Sequence, residues 1–271
     1  MAQTEHHQCR PNRLPDPWDG RALRSHFLDS YVGKFPNQTL DTVGHMLLQV
    51  DRTRQVMQVG VAHLARTLKA GRVDIGFGHA RHPTYAAAAE SFLDEGDDRP
   101  SMVDRELPNG HHVIQRVWRS ATPVAYDDVP NNAEVAPMRE AFAAVHARAM
   151  LAQRLAVDDH QGAFGLICVD ELDYGRRWKA AEHSLLHEFC STFFAPILAV
   201  SLELSAPVGI TKPSPAELDA IRLAATGQSY KAIAYSLGKS IRTIETQLRN
   251  ARQKVGAANQ AELVRICEAW L

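Results

Sequence analysis

The chain has 271 residues, more than one domain usually holds, so two domains are the natural expectation. Its 30 Lys and Arg against 31 Asp and Glu give a net charge of -1, which taken alone argues against nucleic acid. The distribution says more, because residues 212–271 hold nine basic and five acidic residues, a net +4, whereas the rest holds 21 and 26, a net -5. A basic module on an acidic body is expected when only one part of a protein meets phosphate.

The cysteines give no sign of a disulfide or zinc framework. The four of them, at positions 9, 168, 190 and 267, are far apart and form no CxxC pair. The sequence shows neither a signal-peptide pattern nor a long apolar span, so we expect a cytoplasmic protein with reduced thiols and no membrane partner. Cys168 and Cys190 lie within apolar patterns, which favours inert buried thiols over redox sensors.

Residues 1–36 are interpreted as an N-terminal arm, because the first 20 residues are polar, rich in Pro and without periodicity. Three potential metal ligands lie there: His6, His7 and Cys9. We predict no metal site from them, since no second ligand cluster follows at a matching spacing.

Residues 39–68 carry apolar side chains at helical spacing, interrupted by Gly44 and Gly60. This pattern predicts two helices or one long bent helix. The apolar stripe could pair with its counterpart in a second subunit or pack on a sheet of the same chain, and periodicity favours neither.

The period then changes from that of a helix to that of a strand. Residues 72–78 alternate apolar and polar side chains, which predicts a half-buried strand, and an Ala-rich stretch at 79–93 follows. We predict a helix over 110–118, a short strand over 123–126 and a helix covering the sheet within 131–148.

The clearest β signal is a hairpin formed by residues 148–157 and 163–169 around a Gly-containing loop. A broad apolar stripe then predicts a long helix over 179–204, in which Pro196 should cause a kink or a break. Helical spacing puts three potential metal or haem ligands on that helix: His183, His187 and Cys190. The same spacing is typical of a boundary between core and solvent, so we predict no metal there.

This order of elements predicts an α+β domain with a largely antiparallel sheet over residues 37–205. The stretches HHVIQRVWRSATPVAYDDVPNN at 111–132 and FGLICVDELDYGRRWKAAEHSLLHEF at 164–189 resemble those of GAF domains. The resemblance implies a GAF-like sensor and dimerisation domain whose pocket lies between the sheet and its covering helices. Candidate ligand-binding positions are Phe77, Trp118, Tyr126, Met150, Gln153 and Cys168. These side chains could equally be core residues.

After a linker at 206–212, residues 213–271 predict an all-α domain of four short helices. Ser214 has the N-cap position, Pro215 the first helical position and Glu217 the capping-box position of the first helix. Ser229 and Ser240 can cap the next two helices, whose ends are marked by glycines at positions 238 and 256. Helices two and three, joined by a short turn, form a helix-turn-helix pattern.

The whole module resembles the LuxR-type DNA-binding domain. The pattern of that family appears as Pro215–Glu217, Gly227–Ser229, Lys231–Ala234, Ser240–Ile244 and Lys254–Gly256. Three positions depart from it: Gln247 where His is usual, Gln260 where Arg is common and Glu245 where Lys is frequent. The departures affect the operator sequence and leave the fold expectation intact.

Helical spacing places one set of side chains on the outward face of the third helix. Arg249 can reach a guanine, Thr246 a thymine methyl and Glu245 a cytosine amino group, whereas residues nearer the helix ends should contact phosphate. The predicted DNA-binding residues are Lys231, Ser240, Arg242, Thr243, Glu245, Thr246, Arg249, Arg252 and Lys254.

Together these features predict a dimeric transcriptional regulator that binds a palindromic operator in double-stranded DNA. A small-molecule effector is expected to act through the GAF-like domain, no cofactor or metal is predicted, and RNA polymerase is a further candidate partner. The alternative is a regulator controlled by a partner protein or by phosphorylation, without a ligand. A minor alternative is an enzyme similar to GAF-type free methionine sulfoxide reductases, although Cys168 and Cys190 lack a resolving arrangement.

Overall fold

The computed structural model describes residues 19–94, 99–103, 105–157, 162–205, 213–257, 259–267 and 270–271. The candidate ligands at positions 6, 7 and 9, the 206–212 linker and most of the hairpin loop lie outside these ranges. The helices are α1 Gly20–Phe27, α2 Asn37–Leu48, α3 Thr53–Leu68, α4 His112–Arg119, α5 Arg139–Ala144, α6 Ala180–Phe189, α7 Ala195–Leu204, α8 Pro215–Ala225, α9 Tyr230–Leu237, α10 Ile241–Val255 and α11 Gln260–Cys267. The strands are β1 Arg72–Phe77, β2 Thr84–Ala86, β3 Ala89–Phe92, β4 Glu106–Pro108, β5 Val124–Tyr126, β6 Ala149–Leu155 and β7 Gly165–Glu171.

The N-terminal domain is built on a five-stranded sheet in the order β3-β1-β7-β6-β5. Every pairing in it is antiparallel, and β6 and β7 pair as the predicted hairpin. Strands β2 and β4 form a separate antiparallel pair. The predicted fold class, an antiparallel sheet flanked by helices and followed by an all-α domain of four helices, is confirmed.

The sheet is covered on both faces. One face, which carries Val73 and Ile75 of β1, packs in a core with α1, α2, α3, α6 and α7. The other face packs in a second core with α4, α5 and the β2–β4 pair. Arg72 and Asp74 point to this second side and are 0% and 1% exposed, so the expectation of a half-buried β1 was wrong. Alternation cannot distinguish a solvent-facing polar row from one that forms a buried cluster.

Part of the segment interpreted as an arm packs on the first core. Leu23 and Phe27 of α1 are buried, and Tyr31 and Phe35 contact the ring of Phe193 edge-on, with centroids 5.0 and 4.9 Å away. Residues 39–68 form two helices, α2 and α3, and α3 packs against α2, β1, β3 and α7 of the same chain.

Pro196 is accommodated without a break in the long helix. A π-helical segment, Cys190–Phe194, joins α6 to α7 directly before Pro196, which occupies the second position of α7. A widened turn is a common way to absorb the missing N–H and the bulk of the proline ring. Ala180–Leu204 is the one described helix long and apolar enough to cross a membrane, contrary to our expectation of no such span, and 67% of its apolar window is buried within the protein.

Candidate nucleic-acid interface and sensor cavity

The C-terminal domain is organised by hydrogen bonds at the helix ends. Ser214, Ser229 and Ser240 each accept a backbone N–H three residues on, from Glu217, Ala232 and Thr243. Gly227, Gly238 and Gly256 follow the three helices with φ of 78°, 62° and 68°, a conformation that residues with a Cβ adopt at a cost. These caps fix α9 and α10 as two short helices joined by a tight turn.

Helix α10 buries one face and presents the opposite one. Ile244, Leu248, Ala251 and Val255 belong to the core of this domain. On the other side Arg242, Glu245 and Arg249 are exposed, and Thr246 and Arg252 are partly exposed. Within the described part of the chain none of the three arginines forms an ion pair, so their guanidinium groups remain available for a ligand.

The predicted phosphate contacts differ in their surroundings. Lys231 is exposed on α9 and has no ion-pair partner among the described residues. Ser240 and Thr243 are exposed at the start of α10, although their hydroxyls bond to each other at 2.8 Å. Lys254 donates to the Glu217 carboxylate at 2.6 Å, and 35% of its side chain is exposed. Burial alone would raise the pKa of Glu217, but the hydrogen bonds from Lys254 and Ser214 hold that pKa below its usual value.

A cavity of about 30 Å³ lies between the sheet and the second core. Its floor is a polar row on β1 and β7, formed by Arg72, Asp74, Cys168 and Asp170. In the strand register Arg72 pairs with Asp170 and Asp74 with Cys168. Its roof is apolar and consists of Met102, Leu107, Ile114, Val117, Phe142 and Val145.

The polar floor contains two carboxylates and one guanidinium. Arg72 donates to Asp170 Oδ2 from Nη2 at 2.5 Å and from Nε at 3.2 Å. Its Nη1 donates to the carbonyls of Pro100 and Val145 at 2.9 and 3.2 Å. Asp74 accepts only the Tyr85 hydroxyl, at 2.7 Å, among the described residues. Asp74 Oδ2 and Asp170 Oδ1 are buried and have no hydrogen-bond partner in the described structure.

Burial sets the ionisation of this cluster. Burial, followed by the charge of Asp170, raises the pKa of Asp74, Arg72 and the Tyr85 hydroxyl oppose the rise, and the net result is a pKa of about 7. Burial likewise raises the pKa of Asp170, against the effect of Arg72. Burial and the two carboxylates raise the pKa of Cys168 well above its usual value, so that it stays a neutral thiol.

The six predicted ligand positions do not all lie at this cavity. Met150 and Cys168 line it, and Trp118 and Tyr126 belong to the surrounding second core. Phe77 and Gln153 lie on the opposite face, where Phe77 packs on the first core and Gln153 contacts His187 of α6 at 3.2 Å. A change of one position along a strand moves a side chain to the other face, and the sequence alone did not fix which face holds the cavity.

Sequence reasoning did not select Arg72, Asp74, Tyr85 or Asp170. Two features of the sequence could have indicated a buried polar cluster. Arg72 and Asp74 alternate with β-branched residues that mark their strand as buried, and Asp170 lies in the VDE run of the neighbouring strand. Tyr85 lies in the Ala-rich stretch that showed no strand pattern, although it includes β2 and β3.

Residues 214–267 match the family model of the bacterial regulatory proteins of the luxR family. The C-terminal domain belongs to this family. Its presence points to a DNA-binding regulator rather than an enzyme.

No curated protein matches the sequence. Among solved structures, the blue-light absorbing form of the Thermosynechococcus elongatus PixJ GAF domain is similar, with 19% identity, a TM-score of 0.46 and coverage of 58% of this chain and 88% of that one. A GAF domain/HD domain protein from Geobacter sulfurreducens is similar over 56% of this chain and 95% of that one, with 14% identity and a TM-score of 0.46. The fold assignment above rests on the observed sheet and helices.

Two of the three departures from the LuxR-type pattern are tied into the LuxR-family domain itself. Gln247 accepts from Lys239 Nζ at 3.4 Å, and Gln260 accepts from the Tyr230 hydroxyl at 3.1 Å. Glu245 is exposed on the outward face of α10. Of the three, Glu245 is therefore the one that lies fully exposed on this face.

The LuxR-family domain contacts the N-terminal domain near the end of β1. His79 pairs with Asp219 of α8, which also accepts from Arg222 at 3.3 Å. Asn109 Nδ2 donates to the carbonyls of His79 and His82 at 3.0 and 2.7 Å. Asn109 in turn accepts from the Trp118 indole at 2.6 Å. The loop that contacts α8 is thus held by α4, the helix whose Ile114 and Val117 line the cavity.

Proposed function

We propose that the chain is a cytoplasmic, homodimeric transcriptional regulator that binds a palindromic operator through α10 of each subunit and responds to a small molecule bound by its N-terminal domain. RNA polymerase is the further partner expected of such a regulator.

The observation that most strongly supports DNA binding is the outward face of α10. Three arginines alternate there with Glu245 and Thr246 and have no ion-pair partner in the described part of the chain, and caps and core packing hold their helix in a helix-turn-helix. An α-helix fits the major groove, where an Arg fork matches the O6 and N7 acceptors of guanine. Arg249, near the middle of the face, is assigned to base reading, and Lys231, on the preceding helix, to phosphate contact.

A dimer is supported by energetics and by exposed apolar side chains. One LuxR-family domain makes few base contacts, whereas two such domains on a palindrome roughly double the favourable free energy of DNA binding. Leu48 at the end of α2 and Leu204 at the end of α7 are 78% and 40% exposed. Ser205, next to Leu204, bonds to Thr53 at 2.9 Å and donates to Asp51 O at 3.2 Å, so the end of α7 contacts the turn that follows α2. An apolar surface of this kind favours contact with a second subunit.

A response to a small molecule is supported by the continuous contacts between the cavity and the LuxR-family domain. Strand β1 carries Asp74 at the cavity, and His79, five residues later, contacts α8. A ligand that binds one arrangement of the cavity better than another could therefore bias the position of the LuxR-family domain.

The test uses the full chain and a site obtained by selection from random duplexes. Arg249→Ala should weaken binding to that site by about 1–3 kcal/mol and relax the preference at one base position. Lys231→Ala should weaken binding to selected and random duplexes alike, and lower the salt slope by about one unit.

Arg139→Ala is the charge-matched control, because Arg139 is exposed on α5 of the N-terminal domain. It should leave both affinities unchanged. Equal losses on selected and random DNA for Arg249→Ala and Lys231→Ala would contradict the assigned roles, and no selected site at all would contradict the proposed function.

A further inference from the structure

The buried floor of the cavity carries one carboxylate more than it has cations to match. Arg72 commits its Nε and Nη2 to Asp170 and its Nη1 to two backbone carbonyls. Asp74 therefore has only the neutral Tyr85 hydroxyl as a hydrogen-bond donor among the described residues. A buried carboxylate without a matching cation is costly, so the site favours whatever supplies a positive charge.

The unused acceptors belong to two residues that line the same cavity. Asp74 is 1% exposed and Asp170 is 3% exposed, both line the cavity, and each has one carboxylate oxygen without a partner in the described structure. The two side chains are diagonal neighbours on adjacent antiparallel strands, roughly 7–8 Å apart or somewhat less, and they lie on the same face of the sheet. A group with several N–H donors and a positive charge satisfies both oxygens at once.

The remaining wall selects for an apolar attachment. Ile114 and Val117 of α4, Phe142 of α5 and Val145 form the side of the cavity opposite the carboxylates. None of these side chains offers a hydrogen bond, so a polar or charged second group on the ligand would be left unpaired.

We propose that this cavity binds a small aliphatic primary amine, whose ammonium group lies between Asp74 and Asp170 and whose alkyl chain packs against the apolar roof. The inference rests on the proposed effector response and gives the effector a chemical class.

Size limits the ligand. A cavity of about 30 Å³ has room for a small group such as an ammonium group, since about 10–15 Å³ is already enough for a water molecule. A longer alkyl chain has to displace part of the roof. The roof segment is attached to the same cluster, because the carbonyl of Pro100, two residues before Met102, accepts from Arg72 Nη1 at 2.9 Å. A displacement of Met102 would therefore act on the residue that pairs with Asp170.

The experiment is thermal unfolding of the full chain at pH 8 with ethylamine or n-butylamine hydrochloride, at matched ionic strength. An amine at ten times its Kd should raise the Tm by about 3–6 °C. The neutral isostere 1-butanol and the anionic isostere butyrate should raise it far less, because neither supplies the missing positive charge.

Asp74→Asn tests the site directly. The variant should fold, since an Asn oxygen can still accept from Tyr85, and it should lose the Tm rise with both amines. Asp173→Asn is the matched control, because Asp173 is 66% exposed in the same domain and should keep the full rise. Ala152→Val, which adds volume to the cavity wall and leaves both carboxylates in place, should reduce the n-butylamine effect.

An equal rise with 1-butanol, an undiminished rise in Asp74→Asn, or no rise with either amine would overturn the assignment of an amine. The DNA-binding test with Arg249→Ala does not involve the cavity. Specific DNA binding without an amine effect would remove only this inference, whereas loss of specific DNA binding would remove the proposed function and leave the amine result standing.

Discussion

Lys254 of α10 donates to the carboxylate of Glu217, a side chain of α8 that is 5% exposed. The same carboxylate accepts the backbone N–H of Ser214 at 2.6 Å and so completes the capping box of α8. This pair connects the C-terminal end of α10 to the start of α8. Lys254 therefore has a packing role that Lys231, its counterpart among the predicted phosphate contacts, does not share.

Replacing Lys254 should therefore lower stability as well as DNA affinity. Lys254→Met leaves a buried carboxylate with one donor fewer, and we expect a loss of about 1–3 kcal/mol in the free energy of unfolding. Lys231→Met, at an exposed position without a partner among the described residues, should change it by less than about 0.5 kcal/mol. Hydrogen exchange at the α8 and α10 amides of the full chain measures both, and equal protection in the two variants would contradict the packing role.

The capped helices of the C-terminal domain could be predicted because their signals are local. Ser214, Ser229 and Ser240, with a glycine after each helix, specify helix ends within three or four residues, and the structure has the predicted hydrogen bonds there. The partner of Lys254 could not be predicted in this way, because Glu217 is 37 residues away in sequence.

The cavity could not be predicted because it depends on which elements cover the sheet. Arg72 and Asp74 have the pattern of a solvent-facing row, and only the packing of α4 and α5 on that side turns them into a buried cluster. Strands β2 and β3 contain alanines and few β-branched residues, so tertiary pairing decides their conformation. Gln153, a candidate ligand position, lies an odd number of residues from Met150 along β6 and therefore on the other face of the sheet.

Two glycines in neighbouring helices should respond to alanine with opposite signs. A Cβ on Gly60 of α3 would clash with the ring of Phe194, whereas a Cβ on Gly44 of α2 would meet nothing within 4 Å. Gly60→Ala should destabilise the protein by about 1–3 kcal/mol through overpacking. Gly44→Ala should stabilise it by about 0.5–1 kcal/mol through its helix propensity. Urea titration gives both free energies of unfolding. The double variant Gly60→Ala, Phe194→Leu should recover part of the lost stability. An unchanged free energy of unfolding in Gly60→Ala would contradict the close packing.

His63 should make the N-terminal domain sensitive to acid. It is 2% exposed, and its Nδ1 lies 3.0 Å from the Thr42 hydroxyl, which donates its own hydrogen to Gln38 O. Burial, reinforced by the charge of Arg66, lowers the pKa of His63 to about 4. A lowered histidine pKa favours the folded state above the unfolded pKa of about 6.5 and loses that advantage as pH falls toward 4, on the order of 3 kcal/mol in total.

The measurement is the unfolding free energy of the wild type and of His63→Phe at several pH values between 7 and 4. The difference between them should shift in favour of the variant as the pH falls, because Phe cannot take up a proton. A difference that stays constant over this range would show that His63 is not the responsible group.

The exposed end of α2 offers a test of the dimer. Leu48→Glu places a charge on a side chain that is 78% exposed in the single chain, so the fold should be kept, with a change in stability below about 0.5 kcal/mol. If this surface meets a second subunit, light scattering after size exclusion should show a shift from dimer to monomer. Tyr174→Glu, at an aromatic side chain that is 60% exposed after β7, is the control and should leave the mass unchanged. A dimer in both variants would place the interface elsewhere.

The pair between His79 and Asp219 should couple the two domains. Their side chains are 25% and 15% exposed, so solvent screens the pair only in part, and we expect a coupling energy of about 1 kcal/mol. Asp219→Asn and His79→Asn, alone and combined, form a double-mutant cycle that measures it. Hydrogen exchange should rise in both variants over residues 79–84 and at the start of α8, while the centre of α10 stays protected. Asp29→Asn removes a pair with Arg24 that lies within the N-terminal domain and is more exposed, so it serves as the control. Additive effects of the two substitutions on stability, with unchanged hydrogen exchange at both segments, would show that this contact does not couple the cavity to the LuxR-family domain.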